Sequence, residues 1–240
     1  MKAYLNSITG IDDAIISMYM SKRSWTREKE NNIRAIVSYC TTRYGDRLHQ
    51  NDQYMTEFDD MMSKVLKWGQ KHYTMLRFID LSITVEGLHR GAQDDFDSHA
   101  MRMSNRIIRS STRLSEFSDG EMSDYYKDKI IPTDEALSIL DIQTPDRIIK
   151  NGQVYVKSSN GYILETMKDN KDVKRGLYML SIPSNFICKI CLTEFAHILK
   201  ERDKNSHANP ELQDAIESIL SQLNEMYPMI TREYLYGIRN

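Results

Sequence analysis

Cationic and hydroxyl side chains are concentrated in one stretch, which reads M-R-M-S-N-R-I-I-R-S-S-T-R-L from residue 101 to 114. Its anion-seeking members are Arg106, Arg109, Ser110, Ser111 and Arg113. Arginine binds phosphate through paired hydrogen bonds, and serine hydroxyls complete such a cradle. The stretch therefore predicts an anion-binding site, although a solvated basic face has the same composition.

Several amphipathic segments must position this stretch. Hydrophobic periodicity predicts helices over about 11–20, 26–44, 53–68, 185–201 and 210–226, with Pro210 in the first turn of the last. A further helix is predicted over 94–109, capped by its acidic entry, Asp94, Asp95 and Asp97. Strands are predicted over 2–7 and, from alternating β-branched residues, over 78–85. These elements indicate one α+β domain spanning 1–240, with more helix than strand.

A β-hairpin is the clearest local prediction. Asn151-Gly152 separates two apolar runs within residues 147–157, and this dipeptide favours a type I′ turn between antiparallel strands. We expect a hairpin inserted into the domain at this point.

Other residue groups favour structural roles. Cys188 and Cys191 have C-x-x-C spacing on a predicted helix; packing is favoured there, with redox or zinc chemistry as alternatives. No metal site is predicted, because the downstream histidines match no standard spacing. His72 lies in a loop before a predicted strand, where a lone histidine is usually structural.

Composition excludes several classes of partner. The formal net charge of −2 provides no global field for nucleic acid, and no apolar run reaches the roughly 20 residues that a membrane helix needs. The sequence begins without the apolar core of a signal peptide, which favours the cytoplasm. Three cysteines argue against a disulfide framework. The 14 Met and 14 Tyr residues favour an oligomer.

The order of these segments resembles the flavin-dependent thymidylate synthase family, whose signature is R-H-R-x-x-S-x-N-E-x-S-x-R-Y. Ser111-Thr112-Arg113 matches its S-x-R, whereas Met101-Arg102-Met103 falls on R-H-R. Asp172-Val-Lys-Arg175 resembles the family's Asp/Glu-x-Ala-Arg. Arg202, followed by His207-Ala208-Asn209-Pro210-Glu211, is similar to Leu-Arg…His-Ala-Gln-x-Glu.

The resemblance implies a central antiparallel sheet flanked by helices, assembled as a homotetramer whose active sites lie at subunit interfaces. It implies a methyltransferase that converts dUMP to dTMP, with FAD as cofactor and methylenetetrahydrofolate and NADPH as cosubstrates. It assigns the nucleotide monophosphate to Ser111, also the catalytic candidate, and to Arg113, Arg175 and Arg202. It assigns flavin contacts to His72, Arg102 and His197.

The departures from the family pattern leave two alternatives open. At the position of the family's R-H-R, this chain has one cation, Arg102. The family's Asn-x-Arg falls on Cys191-Leu192-Thr193. The first alternative is a nucleotide-binding homologue of the same fold that has lost flavin redox chemistry. The second is a flavoenzyme that hydroxymethylates or otherwise modifies a pyrimidine nucleotide.

Overall fold

The computed structural model describes residues 1–43, 53–98, 106–109, 145–158, 161–169, 183–202 and 209–239. The strands are β1 (Lys2–Thr9), β2 (Asp80–His89), β3 (Arg106–Arg109), β4 (Arg147–Lys150), β5 (Gln153–Ser158), β6 (Gly161–Leu164) and β7 (Pro183–Cys191). The helices are α1 (Ile11–Ser21), α2 (Arg27–Arg43), α3 (Gln53–Gly69), α4 (Arg90–Ser98), α5 (Leu192–Arg202) and α6 (Pro210–Met226). Short helical turns follow at Pro228–Ile230, Thr231–Leu235 and Tyr236–Arg239.

A four-stranded antiparallel sheet, in the order β1-β2-β7-β3, lies at the centre of the fold. Leu5, Ile83, Cys188 and Ile107 are register neighbours across it, and the first three are buried. Paired residues share a face of a sheet, so this row marks the core side. The predicted α+β fold with a central antiparallel sheet is thereby confirmed.

Helices cover the core side of this sheet. Helix α6 packs along β1 and β2, and it buries Leu212, Ile216 and Leu223, positions that repeat with helical spacing. Helices α1, α2 and α3 pack against one another. The turn before α1 requires Gly10, which has φ of 80° and whose added Cβ would lie 2.0 Å from the carbonyl oxygen of Phe78.

The predicted helix over 185–201 is wrong in its first part, because residues 183–191 form strand β7 and the helix begins at Leu192. Phe186, Cys188 and Ile190 are buried, whereas Asn185 and Ile187 are exposed. This period of two belongs to a half-buried strand. Cys188 and Cys191 are therefore on a strand, not on a helix.

The predicted helix over 94–109 is confirmed over 94–98 and wrong over 106–109, and residues 99–105 lie outside the described residues. Helix α4 begins at Arg90 and ends at Ser98, and Arg106–Arg109 is an edge strand paired with β7. The β-branched pair of Ile107 and Ile108 suits this strand. The three acidic residues lie in the middle and at the end of α4, so their predicted role as N-terminal caps is wrong as well.

A separate three-stranded antiparallel sheet contains β4, β5 and β6. Asn151 and Gly152 have φ of 53° and 74°, as a type I′ turn requires at both central positions. The predicted hairpin over 147–157 is confirmed, and β6 extends it by a strand that was not predicted. None of the described helices is long and apolar enough to cross a membrane.

Candidate functional site

The end of β2 positions an acidic helix over the sheet. Strand β2 ends at His89, and α4 follows without a loop. Phe96 of α4 packs against Phe186 of β7, with ring centroids 5.3 Å apart. Arg109 is the register partner of Phe186 on the neighbouring strand. Its side chain consequently shares the face that α4 covers.

The acidic side chains of α4 pair with one arginine of the same helix and with arginines from two other elements. Nη1 of Arg109 lies 3.0 Å from Oδ1 of Asp94, and its Nη2 contacts Oδ2 of Asp97. Nε of Arg90 is 3.7 Å from the same Asp94 oxygen. We call these residues, with the Arg202–Asp95 pair described next, the α4 cluster: Arg90, Arg109, Arg202, Asp94, Asp95 and Asp97.

Arg202, at the end of α5, completes this cluster. Its Nη2 lies 3.0 Å from Oδ1 of Asp95, and the two side chains are 22% and 31% exposed. Both are therefore partly withdrawn from water, where an ion pair is screened less than at the surface. A guanidinium has five N–H donors in a planar fork, so it can contact more than one anionic group at a time.

A buried polar group lies where α4 meets α6, and it was not predicted from the sequence. Nδ1 of His89 contacts Oε2 of Glu211, and the backbone N–H of His89 donates to the same oxygen at 3.2 Å. Both side chains are almost fully buried. The sequence signal was present, because Asn209-Pro210 predicts a helix start and places Glu211 in its first turn.

Asn209 sets the directions of the hydrogen bonds around this histidine. Its Oδ1 accepts from the N–H groups of Glu211 and Leu212, at 3.0 and 3.4 Å, so its amide nitrogen faces Nε2 of His89 at 3.0 Å. That ring nitrogen must accept, which leaves the proton on Nδ1 to be donated to Glu211. The network joins the end of β2 to the start of α6 and supports the base of α4.

The two described histidines that were predicted to contact a flavin lie on neighbouring elements. His72 lies in the turn after α3, and its ring centroid is 5.4 Å from that of Trp68. His197 is exposed on α5. The 3-10 helix Met75–Phe78 follows the His72 turn and packs on α5. Both imidazoles can donate or accept a hydrogen bond from these positions.

The cysteines are part of the core, as the packing interpretation expected. Cys188 and Cys191 are buried free thiols, and an odd separation along a strand places them on opposite faces. Burial, followed by the nearby Glu194 carboxylate, raises the pKa of the Cys188 thiol to about 12. A reactive thiol needs a lowered pKa, so this environment suits packing.

The remaining predicted site residues, Ser111, Arg113, Arg175 and Arg102, lie outside the described residues. Of the predicted phosphate ligands, the structure places Arg202. It also places Arg109, a member of the sequence's anion-binding stretch, against the same helix. Arg109 directly precedes Ser110 and the S-x-R segment in the sequence.

The structure is thus an α+β fold in which arginines of β3 and α5 contact one helix, α4. The chain matches the model of the thymidylate synthase complementing protein family over residues 23–229. It belongs to this family, the flavin-dependent thymidylate synthases, and the predicted resemblance is confirmed. No protein with a curated description matches the sequence significantly.

Solved structures share the fold at low sequence identity. A flavin-dependent thymidylate synthase from Helicobacter pylori, complexed with FAD and dUMP, is 13% identical with a TM-score of 0.53, covering 92% of this chain and 93% of that one. A second structure of that enzyme, also with FAD and dUMP, is 12% identical with a TM-score of 0.56 and full coverage of both chains. A UMP/dUMP methylase from Streptomyces cacaoi, bound to 5-Br dUMP, is 12% identical with a TM-score of 0.53, covering 97% and 93%.

Proposed function

We propose that the protein is a flavin-dependent methyltransferase that converts dUMP to dTMP with methylenetetrahydrofolate as carbon donor and NADPH as reductant. The observation that carries this proposal is the family match over 23–229. Membership supports methyl transfer to a pyrimidine nucleotide, and the FAD and dUMP in related structures support this cofactor and substrate.

Arg202 is the described residue that we propose binds the substrate phosphate, together with Ser111, Arg113 and Arg175. A nucleotide monophosphate carries up to two negative charges, which suit several arginines on separate elements. Arg109 and Arg202 both contact α4, and this supports a shared location for Arg202 and the S-x-R segment. Holding the phosphate would fix the pyrimidine so that C5 meets the incoming carbon, a proximity effect. We propose Ser111 as the catalytic residue.

His72 and His197 fit a flavin by the chemistry of their side chains. Two exposed imidazoles on neighbouring elements can hydrogen-bond to the polar edge of an isoalloxazine ring, and Arg102 would supply a cation for the FAD pyrophosphate. When bound, FAD supplies the hydride chemistry. The His72 ring packs near Trp68. The Nζ of Lys22 lies 4.0 Å from the centroid of the Trp68 ring, which helps to hold this aromatic side chain in place.

The visible spectrum of the protein tests this proposal. We expect a yellow protein with flavin absorbance at about 450 nm, which releases the C5 hydrogen of dUMP when methylenetetrahydrofolate and NADPH are present. A colourless protein that takes up no FAD would contradict the flavin-dependent reaction.

A nucleotide-binding homologue without redox chemistry is the second candidate, and a specific observation favours it. The family's Asn-x-Arg falls on Cys191-Leu192-Thr193, and the structure buries Cys191 and Leu192 almost completely. Those two side chains are therefore withdrawn from any exposed flavin site. This candidate predicts that dUMP raises the melting temperature through ligand linkage whereas FAD does not. Stabilisation by FAD alone would exclude it.

A competition experiment can identify the base of the nucleotide substrate. One of the structural relatives is described as a UMP/dUMP methylase, so a ribonucleotide is a reasonable rival substrate. dUMP, dCMP and UMP would be offered together and the products analysed by mass spectrometry. A mass gain of one methyl group on dUMP supports the leading proposal. A hydroxymethyl product would identify the related C5 alkylation instead.

We also propose that the protein is a homotetramer with active sites at subunit interfaces. On the face of the central sheet opposite the core, Ile187 at 48% and Ile108 at 74% are exposed register partners, and Thr84 lies between Ile187 and Tyr4, which is exposed at 39%. Exposed apolar side chains of this kind favour contact with another copy. Ile187→Lys should dissociate the assembly in size-exclusion chromatography with light scattering. Ile149→Lys, on the separate sheet at 77% exposure, is the control and should not.

A further inference from the structure

Helix α4 presents carboxylates to the cations that a substrate phosphate would use. Three aspartates, Asp94, Asp95 and Asp97, pair with three arginines, Arg90, Arg109 and Arg202. The formal charges of this cluster therefore cancel. A phosphate that binds Arg202 would approach the carboxylates of this cluster, and their negative charges would oppose its binding.

Asp95 is the member of the cluster that contacts Arg202. Its partner oxygen lies 3.0 Å from Nη2 of that arginine, at a hydrogen-bonding distance. Asp94 and Asp97, three residues apart, share a helical face and serve Arg109. Asp95 lies about 100° from Asp94 around the helix axis. It therefore faces a different cation, Arg202, from the one that Asp94 and Asp97 contact.

We infer that Asp95 is an internal competitor for the substrate phosphate at Arg202 and thereby sets the nucleotide affinity of the site. This inference rests on the proposed function. A phosphate that binds Arg202 either displaces Asp95 or shares the guanidinium with it. Both cost free energy, because displacement breaks the ion pair between Asp95 and Arg202, and sharing brings two negative charges close together, where they repel even in water.

Isothermal titration with dUMP tests the inference. Asp95→Asn should bind dUMP about tenfold more tightly than the wild-type protein. Asp214→Asn is the matched control, since it removes the same charge from an exposed position on α6; it should not change the affinity. Asp95→Ser serves as a second variant, and circular dichroism verifies that each variant is folded.

A double-mutant cycle shows whether Asp95 acts through Arg202. In the Arg202→Ala background, Asp95→Asn should have little effect on dUMP affinity. An equal gain in both backgrounds would mean that Asp95 acts only through the general field, and it would overturn the inference. Weaker binding by Asp95→Asn would also overturn it, because Asp95 would then be holding Arg202 in its productive position.

The failure of this inference can be distinguished from the failure of the proposed function. If Arg202→Ala weakens dUMP binding but Asp95→Asn leaves it unchanged, the inference alone fails. If neither the wild-type protein nor Asp95→Asn binds dUMP, both fail. If Asp95→Asn binds dUMP and the wild-type protein does not, the competition is supported in its strongest form.

Discussion

Two clusters of arginine and carboxylate side chains in this protein use the same chemistry in different proportions. In the first, Arg34 of α2 pairs with Asp12 and Asp13 of α1 at 2.6 and 3.0 Å, and with Glu30 of its own helix at 3.1 Å. Even with Arg27, which pairs with Glu30, the carboxylates outnumber the cations. In the α4 cluster the two signs are equal in number.

This difference in balance has a consequence for anion binding. The Arg34 cluster becomes neutral, and not positive, when one of its three carboxylates is removed, because it contains two arginines. The α4 cluster becomes net positive when one carboxylate is removed or displaced. Ion pairing alone therefore does not mark an anion site. What marks it is whether the local cations can exceed the carboxylates.

The largest expected effect separates the two clusters by function. Arg202→Ala should lower the dUMP affinity by roughly 10- to 100-fold, since a hydrogen bond to a charged group contributes about 1.5–3 kcal/mol. Arg34→Ala should leave the affinity unchanged. Calorimetric titration measures both. If the two variants lost affinity equally, the comparison would be broken, because neither cluster would then be specific for phosphate.

A second difference concerns stability. Arg109→Ala should lower the free energy of unfolding by about 2 kcal/mol, because its side chain is 16% exposed and its loss removes the cation that contacts Asp97 and leaves Asp94 with the more distant Arg90. Arg34 is 45% exposed, so solvent screens its pairs, and Arg34→Ala should cost about 1 kcal/mol. Urea denaturation of the two variants measures the difference. If Arg34→Ala instead lost more stability than Arg109→Ala, the exposed Arg34 cluster would stabilise the fold more than the α4 cluster does.

The sequence predicted the elements whose signals are local. Helices α1, α2 and α3 and the α6 start at Asn209-Pro210 followed from hydrophobic period and capping. The type I′ turn followed from Asn151-Gly152. In each case the residues that specify the element lie within it.

The errors occurred where the specification is not local. The alternating burial of Phe186, Cys188 and Ile190 directly precedes the helical pattern that starts at Leu192. The sequence pattern therefore predicted one continuous helix where a strand is followed by a helix. Strand β3 is four residues long, and β7 is its partner among the described strands. The aspartates of α4 fit a capping role as well as an ion-pair role until Arg109 and Arg202 are placed beside them. For the site, Arg202 could be predicted from family resemblance, whereas its pairing with Asp95 required the fold.

The pH dependence of stability offers a smaller test of the Arg34 cluster. Burial raises the pKa of Glu30, but hydrogen bonds from Arg27, Arg34 and Trp25 outweigh burial and hold it below its ordinary value of 4.5. A carboxyl whose native pKa is depressed contributes stability above its unfolded pKa and loses that contribution as the pH falls through the native value.

Glu30→Gln should therefore remove part of the acid sensitivity of the protein. The stability difference between wild type and variant should be constant above about pH 5 and shrink toward pH 3. Urea midpoints measured across this range provide the test. Asp214→Asn, far from Arg34 in sequence and exposed on α6, is the control. A difference that grows on acidification would contradict the direction of the pKa change.

The smallest expected effect is the labelling of the buried thiols, which report on each cluster separately. Cys188 is the register partner of Ile107 on β3, beside Arg109, and Cys40 is buried on α2, the helix of Arg34. Burial raises the pKa of Cys188 to about 12, so at pH 8 this thiol is almost entirely protonated and unreactive. In the native wild-type protein, iodoacetamide should label neither cysteine detectably.

Peptide mass spectrometry should find faster labelling of Cys188 alone in Arg109→Ala, and of Cys40 alone in Arg34→Ala, because local opening exposes the thiol nearest the lost ion pair. Equal acceleration of both cysteines in either variant would mean that the clusters stabilise one cooperative unit, and the structural distinction between them would then not extend to their dynamics.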